Sequence, residues 1–340
     1  MMKAAVLKMF GNPFSIEDVP IPEIKSDEVL LKVVACGLCG TDIKISHGKR
    51  KDTPLPHIQG HEISGVICKV GLAVKNLKPG DRGVAHFYCS CHQCEHCLTD
   101  RETLCQYMPG RLGFTLNGGL AEYVALPASS FIPIPGEVSL KDASILADAI
   151  STTYRGLKKA NVRAGDRVLV VGLGGLGIHA MQLAQIMGAD VIATTRSMAK
   201  IEYAKNFGLR EYVQAGENSS AQIIEKFGGK KIDVVVDTVG SPQTILPSLD
   251  ILAPSGRMVL LGYTFDEPIS IPPYSLILNE LSIYGSRASS YKDIVEVLPW
   301  LVSGKLKAAI SNSYTLDEIN LAMEQLRDGV CLGRQVVLFS

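Results

Sequence analysis

The sequence predicts an α/β protein in two parts, a β-rich first half followed by a doubly wound parallel sheet, and three observations carry that prediction. From residue 1 to about 147, apolar residues come in short alternating runs such as 28–34 and 63–70, punctuated by Gly and Pro, with few long helical stretches. From 151 to about 285, strand, Gly-rich turn and helix alternate. At 340 residues, with 46% hydrophobic and 20% charged, the chain is too long for one ordinary core and has apolar material for two.

In chain order, the alternating runs of the first part place every second side chain on one face, as a half-buried sheet requires. A lobe at 88–106 breaks this pattern with cysteines. The second part opens with a helix near Ala149, then reads as strand 167–171, helix to 187, strand 191–194, helix 198–207 and strands 232–236 and 258–261. The last stretch, from about 286, predicts helices over 294–302 and 316–327 and a strand over 335–339, packing back on the first part. The boundaries are therefore 1–150, 151–285 and 286–340.

In the lobe, Cys91, Cys94, Cys97 and Cys105 are separated by two, two and seven residues. Four thiolates at that spacing can close a tetrahedron around a zinc ion, whereas a disulfide framework belongs to small secreted chains. Such a site is closed and structural, with no position left for chemistry. Cys36, Cys68 and Cys331 read as small buried hydrophobes.

After strand 167–171 comes Gly172-Leu173-Gly174-Gly175-Leu176-Gly177, with a helix behind it. This is G-x-G-x-x-G in the setting that binds a dinucleotide. The first glycine makes the tight turn, the second lets the backbone approach a pyrophosphate, the third packs helix on strand, and the helix N-terminus offers free N–H groups. About 20 residues on, where an acid would bind a ribose 2′-hydroxyl, stand Thr195, Arg196 and Ser197, with Lys200 one turn further. An Arg in place of an acid favours NADP(H) over NAD(H), although a solvated Arg196 with NAD accepted is the competing reading.

Lys plus Arg and Asp plus Glu are equal at 34 each, so no global field attracts nucleic acid or an anionic membrane. The N-terminal residues do not form a signal peptide, and no apolar run approaches the roughly 20 residues of a membrane span. The expected compartment is the cytoplasm.

A third constellation is Cys39-Gly40-Thr41-Asp42 followed by Gly60-His61-Glu62-Ile63-Ser64-Gly65. One thiolate and one imidazole are two ligands of an open metal site, which needs a third. With Gly71, Val74, the cysteine lobe and the glycine loop in the same order, the chain resembles the zinc-dependent medium-chain alcohol dehydrogenases essentially from end to end.

That resemblance implies a GroES-like catalytic domain, a Rossmann domain and a returning C-terminal segment. It implies two zinc ions per chain, with Cys39 and His61 as catalytic ligands and Glu62 as the acidic residue that joins or exchanges in the coordination. The third ligand falls on Asp148, ahead of Thr152-Thr153-Tyr154; the alternative is that Asp148 caps the following helix. Thr41 matches the hydroxyl that bonds the substrate oxygen. Lys44 stands where many relatives have a relay His, which leaves the proton route open between cofactor ribose, water and His47.

The implied reaction is hydride transfer between a nicotinamide cofactor and a small alcohol, aldehyde or ketone, secondary alcohols being favoured, in a homotetramer or homodimer. The rivals are a zinc-independent NADPH-dependent reductase of enoyl-thioester or quinone C=C bonds, and a non-catalytic dinucleotide-binding relative.

Overall fold

Strand Glu28–Leu38 is the spine of the first of two units in the computed structural model, which describes residues 1–265 and 267–339. This unit comprises Met1–Ala149, Ser289–Val302 and Ile310–Ser340; the second comprises Ile150–Ala288 and Ser303–Ala309. The short stretch 303–309 thus leaves the C-terminal segment for the second unit, which the sequence pattern gives no sign of.

In the first unit the spine pairs antiparallel with Glu62–Val70, Tyr123–Pro127 and Arg334–Leu338. The sheet continues through Arg82–Ala85 to Phe131–Pro133 on one side and through Ile310–Tyr314 on the other. The expected run 28–34 extends to Leu38 because Ala35, Cys36, Gly37 and Leu38 are buried there, and this extension positions the site. Gly37 pairs with Glu62 on one neighbouring strand, and Leu38 pairs with Gln335 on the other. A Cβ on Gly37 would lie 2.0 Å from Glu62 Oε2, so only glycine leaves room for that carboxylate.

Cys36 and Cys331 are buried as expected, but Cys68 is exposed. It follows buried Ile67 on the same strand, so the alternation turns it outward, where its Sγ bonds the Leu30 carbonyl at 3.3 Å.

The second unit is a six-stranded parallel sheet in the order Glu211–Gln214, Asp190–Thr195, Arg167–Val171, Ile232–Asp237, Leu252–Leu260, Ser282–Gly285. Strand order reverses between Arg167–Val171 and Ile232–Asp237, the switch point where such sheets bind ligands at their carboxyl ends. In the C-terminal segment, helix Tyr291–Val302 and strand Arg334–Leu338 lie within two or three residues of the predicted bounds. The predicted helix 316–327 is a turn of 3-10 helix at Leu316–Glu318 continuing into Ile319–Arg327. Among the described residues, no helix is long and apolar enough to cross a membrane.

Candidate functional site

Cys39 is the N-cap of helix Gly40–Ser46, and its Sγ accepts the Thr41 N–H at 3.3 Å. Asp42, fully buried three residues on, completes a capping box by accepting the Cys39 N–H on Oδ2 at 2.8 Å. Its other oxygen, Oδ1, lies 3.3 Å from His61 Nδ1. One carboxylate therefore holds the Cys39 backbone and faces the imidazole at ion-pair distance, the place from which an outer acid orients a metal-ligating histidine. His61 Nε2 is thereby turned toward Asp148, whose Oδ2 is 3.6 Å away.

One ligand atom each from Cys39, His61 and Asp148 lies within 4.8 Å of the others, all buried. Ligand bonds of about 2.0–2.1 Å to N and O in a tetrahedron put those atoms about 3.4 Å apart, close to the His61–Asp148 spacing. The charges agree. Burial works against a protonated His61, yet Asp42 and Asp148 outweigh it and hold the imidazole well above its ordinary pKa. A metal ion here would compete with that proton for the imidazole. The donor set fits a zinc ion with one position open.

Glu62 is not among these three. Arg334 Nε donates to Glu62 Oε1 and Oε2 at 3.0 and 3.1 Å, Nη2 donates to Oε1 at 2.5 Å, and the Ala149 N–H takes a further place on Oε1 at 3.1 Å. Arg334 Nη2 also reaches Asp148 Oδ2 at 3.0 Å. Full burial pushes the Glu62 carboxyl up to about 7, with Arg334 opposing and Asp148 adding. Arg334 is itself held above the usual guanidinium range, the two carboxylates overcoming its burial. In this geometry Glu62 backs the site as the anchor of Arg334.

Sequence reasoning missed Arg334 and the double role of Asp42. The available signals were a charge opening a central apolar strand, and the three-residue capping-box spacing from Cys39.

Beside His61 stand two phenyl rings that sequence reasoning also missed, Phe87 and Phe114, with centroids 5.1 and 5.0 Å from the imidazole and 5.6 Å from each other in a stack. Thr41 is partly exposed at the start of its helix. Burial lowers Lys44 below the ordinary ammonium range, Cys39 opposing and Arg50 adding. His47 is exposed, with Nδ1 2.8 Å from the Ile43 carbonyl.

In the lobe, Cys94 Sγ lies 3.5 Å from Cys97 Sγ and 4.0 Å from Cys105 Sγ, and Cys91 Sγ is 3.8 Å from Cys97 Sγ. A tetrahedron with zinc–sulfur bonds of about 2.3 Å has edges of about 3.8 Å, so these four sulfurs fit one ion. Backbone N–H groups of Gln106 and Cys97 hold the Cys94 thiol down to about 6 and those of Gln93 and Cys94 lower that of Cys91, while burial pushes Cys97 up to about 12 and raises Cys105.

The glycine loop divides its labour as the motif requires. Gly172 has φ +89, and a Cβ there would meet Thr238 Oγ1 at 2.7 Å. A Cβ on Gly177 would lie 1.8 Å from the Gly172 carbonyl oxygen, while one on Gly174 would meet nothing within 4 Å, which leaves that backbone open to a ligand. Helix Gly175–Ile186 begins at Gly174 with no side-chain cap, so its first N–H groups, Gly175 and Leu176 among them, face an anion-binding position. At the end of strand Asp190–Thr195, Ser197 caps the next helix by accepting the Lys200 N–H, Ser197 N–H reaches Thr195 Oγ1 at 3.4 Å, and Arg196 is exposed.

Comparison with known proteins covers both units. Residues 25–136 match the alcohol dehydrogenase GroES-like domain and residues 175–303 the zinc-binding dehydrogenase domain. An alcohol dehydrogenase of Geobacillus stearothermophilus is 37% identical over 339 residues, covering 99% of each chain. The crystal structure of the alcohol dehydrogenase of Aeropyrum pernix superposes with a TM-score of 0.93 at 31% identity, covering 99% of this chain and 100% of that one. An acryloyl-coenzyme A reductase of Metallosphaera sedula is 32% identical over 339 residues and 98% of each chain.

Proposed function

Because the chain belongs to the zinc-dependent medium-chain alcohol dehydrogenases, we propose that Cys39, His61 and Asp148 hold its catalytic zinc and Cys91, Cys94, Cys97 and Cys105 a structural one. The enzyme is an oxidoreductase that moves hydride between a nicotinamide cofactor and an alcohol–carbonyl pair, and the pair proposed is a secondary alcohol and its ketone. The observation that carries the ligand assignment is the buried three-donor cluster braced by Asp42. When bound, zinc supplies a Lewis acid for the substrate oxygen and the nicotinamide supplies or accepts the hydride.

The protein's own residues position and relay. Asp42, with Oδ1 3.3 Å from Nδ1, is proposed to hold the imidazole N–H there and leave Nε2 for the metal. Thr41 is the hydroxyl proposed to bond the substrate oxygen. Lys44, with its pKa lowered by burial, is proposed to pass the proton on, since a lowered pKa is what a relay lysine needs. Phe87 and Phe114 exclude water from one side of His61.

The uncapped helix start with Gly174, Gly175, Leu176 and Gly177 is proposed to hold the pyrophosphate, and Arg196 with Thr195, Ser197 and Lys200 a 2′-phosphate, hence NADP(H) over NAD(H). A homotetramer or homodimer in the cytoplasm completes the reading. The 32% relative named for acryloyl-coenzyme A favours a C=C reductase as the second reading; the intact donor cluster argues for the carbonyl chemistry.

The test is metal analysis of the purified protein with NADPH and NADH oxidation on a panel of aldehydes and ketones. Two zincs per chain, and activity lost on chelation, is the expected result. Asp148→Ala should lose one zinc and most of the activity; full retention of both makes Asp148 a helix cap and removes the ligand assignment.

A further inference from the structure

The phenyl ring that flanks His61 is also covered by two cations. The guanidinium carbons of Arg50 and Arg111 lie 5.5 and 5.1 Å from the centroid of Phe114, the same ring whose centroid is 5.0 Å from that of the candidate metal ligand His61. Among the described residues they share one carboxylate: Arg111 Nη2 donates to Asp52 Oδ2, and Arg50 Nε lies 3.5 Å from Asp52 Oδ1. Burial would raise the Asp52 carboxyl, but Arg111 and then Arg50 pull it below the usual range, so it is ionised. Two fixed positive charges against one negative leave the cluster one charge in excess.

The cluster runs from a buried guanidinium to an exposed carboxylate: the Arg50 side chain is 22% and that of Asp52 46% exposed. Arg111 is 8% exposed, and Thr53 Oγ1 on the loop that carries Arg50 and Asp52, with His57 Nε2 at the start of the strand that follows, is buried without a hydrogen-bond partner among the described residues. A buried fork of N–H donors with half a counter-charge, beside unanswered polar atoms, is costly unless something anionic is bound there in the working state. A neutral alcohol would leave that need unmet. A planar or tetrahedral oxyanion would meet it bidentately, with the stacked Phe87 and Phe114 rings as an apolar wall for the carbon chain between anion and reacting carbon.

We propose that Arg50 and Arg111 form an oxyanion subsite, so that the substrate is an alcohol–carbonyl pair whose carbon chain carries a carboxylate or phosphoryl group. This rests on the dehydrogenase reading above, because it is the candidate catalytic His61 that gives the subsite its place.

The experiment compares kcat/KM of the zinc-loaded enzyme for matched carbonyls: levulinate against methyl levulinate for a carboxylate, and dihydroxyacetone phosphate against dihydroxyacetone for a phosphoryl group. One pair should show a preference of about tenfold or more for the anion, the range of one charge-assisted contact, and the pair that shows it identifies the group. Arg50→Gln should bring that ratio toward one, and Asp52→Asn, which removes the carboxylate that the two arginines share, should raise it. A role confined to folding would not move the two variants in opposite directions.

Ratios near one in both pairs, or ratios unmoved by both substitutions, overturn the subsite while turnover of the neutral carbonyls keeps the dehydrogenase reading. If no carbonyl turns over, calorimetric titration of levulinate, dihydroxyacetone phosphate and their neutral partners decides. Tighter binding of an anion, lost in Arg50→Gln, supports the subsite and sinks the dehydrogenase reading; equal binding overturns the subsite.

Discussion

Replacing Arg334 with Leu tests whether the charge cluster behind the metal ligands holds the first unit together. The Arg334 side chain is 6% exposed, that of Glu62 is 0% and that of Asp148 is 11%, and the guanidinium makes four hydrogen bonds to the two carboxylates. Leucine fills part of the volume but leaves both acids buried without their cation. Breaking a buried pair in this way costs about 3–5 kcal/mol. Over a cooperative unit of this size that corresponds to a fall in Tm of about 6–20 °C.

Arg334→Lys should fall between, because it keeps a charge but not the fork that spans both Glu62 oxygens. Glu62→Gln added to Arg334→Leu should recover part of the loss, since one of the two orphaned charges is gone. Denaturant unfolding at one fixed zinc concentration is the assay, because ligand binding shifts apparent stability on its own. A loss below about 1 kcal/mol for Arg334→Leu, or a double variant equal to the sum of its singles, would refute the reasoning.

In the second unit, Gly177→Ala and Gly174→Ala should separate folding from binding. The first drives a methyl to within 1.8 Å of the Gly172 oxygen and should cost about 1–3 kcal/mol, whereas the second meets nothing within 4 Å and should fold normally yet raise KM for the dinucleotide. Identical behaviour of the two would contradict the division of roles. Arg167 holds Asp233 through Nε and Nη2 at 2.8 and 2.7 Å and through its backbone N–H at 2.8 Å, and these bonds outweigh burial to lower the Asp233 pKa. A carboxyl lower in the folded than in the unfolded chain stabilises above the unfolded value and loses that contribution as pH falls through the folded one. Asp233→Asn should therefore cost about 1–2 kcal/mol from neutrality down to about pH 4, and the gap to wild type should close below it; a gap that widens in acid has the wrong sign. Arg196→Ala should raise KM for NADPH far more than for NADH, and equal effects would mean that no 2′-phosphate pocket is formed there.

What could be read from the chain follows from how local each signal is. The loop from Gly172 to Gly177 and the lobe from Cys91 to Cys105 announce themselves because backbone clearance and metal geometry fix residue type over a few positions. The strands of the parallel sheet are legible because strands buried on both faces read as unbroken apolar runs. Helices Ser219–Lys226 and Pro242–Asp250 went unpredicted, the latter with Pro247 inside it, a residue that argues against a helix in any reading by pattern. Asp148 joined Cys39 and His61 through family resemblance alone, since nothing in its own neighbourhood distinguishes a ligand from a cap.

The least legible feature is the one the site leans on most heavily. Glu62 and Arg334 are 272 positions apart, and their meeting depends on two registers, Gly37 opposite Glu62 and Leu38 opposite Gln335, across a spine whose last four residues the alternation did not reveal. A pairing of that range leaves no periodic trace. It leaves only a charge where an apolar strand should begin and a glycine where a Cβ would strike a carboxylate. The same holds for Arg50 and Arg111, which sequence separates and Phe114 brings together. The residues proposed to tune the metal site and to select its substrate are thus those whose partners are set by tertiary contacts and not by local pattern, which is why composition and spacing lead to the reaction class and stop short of the substrate.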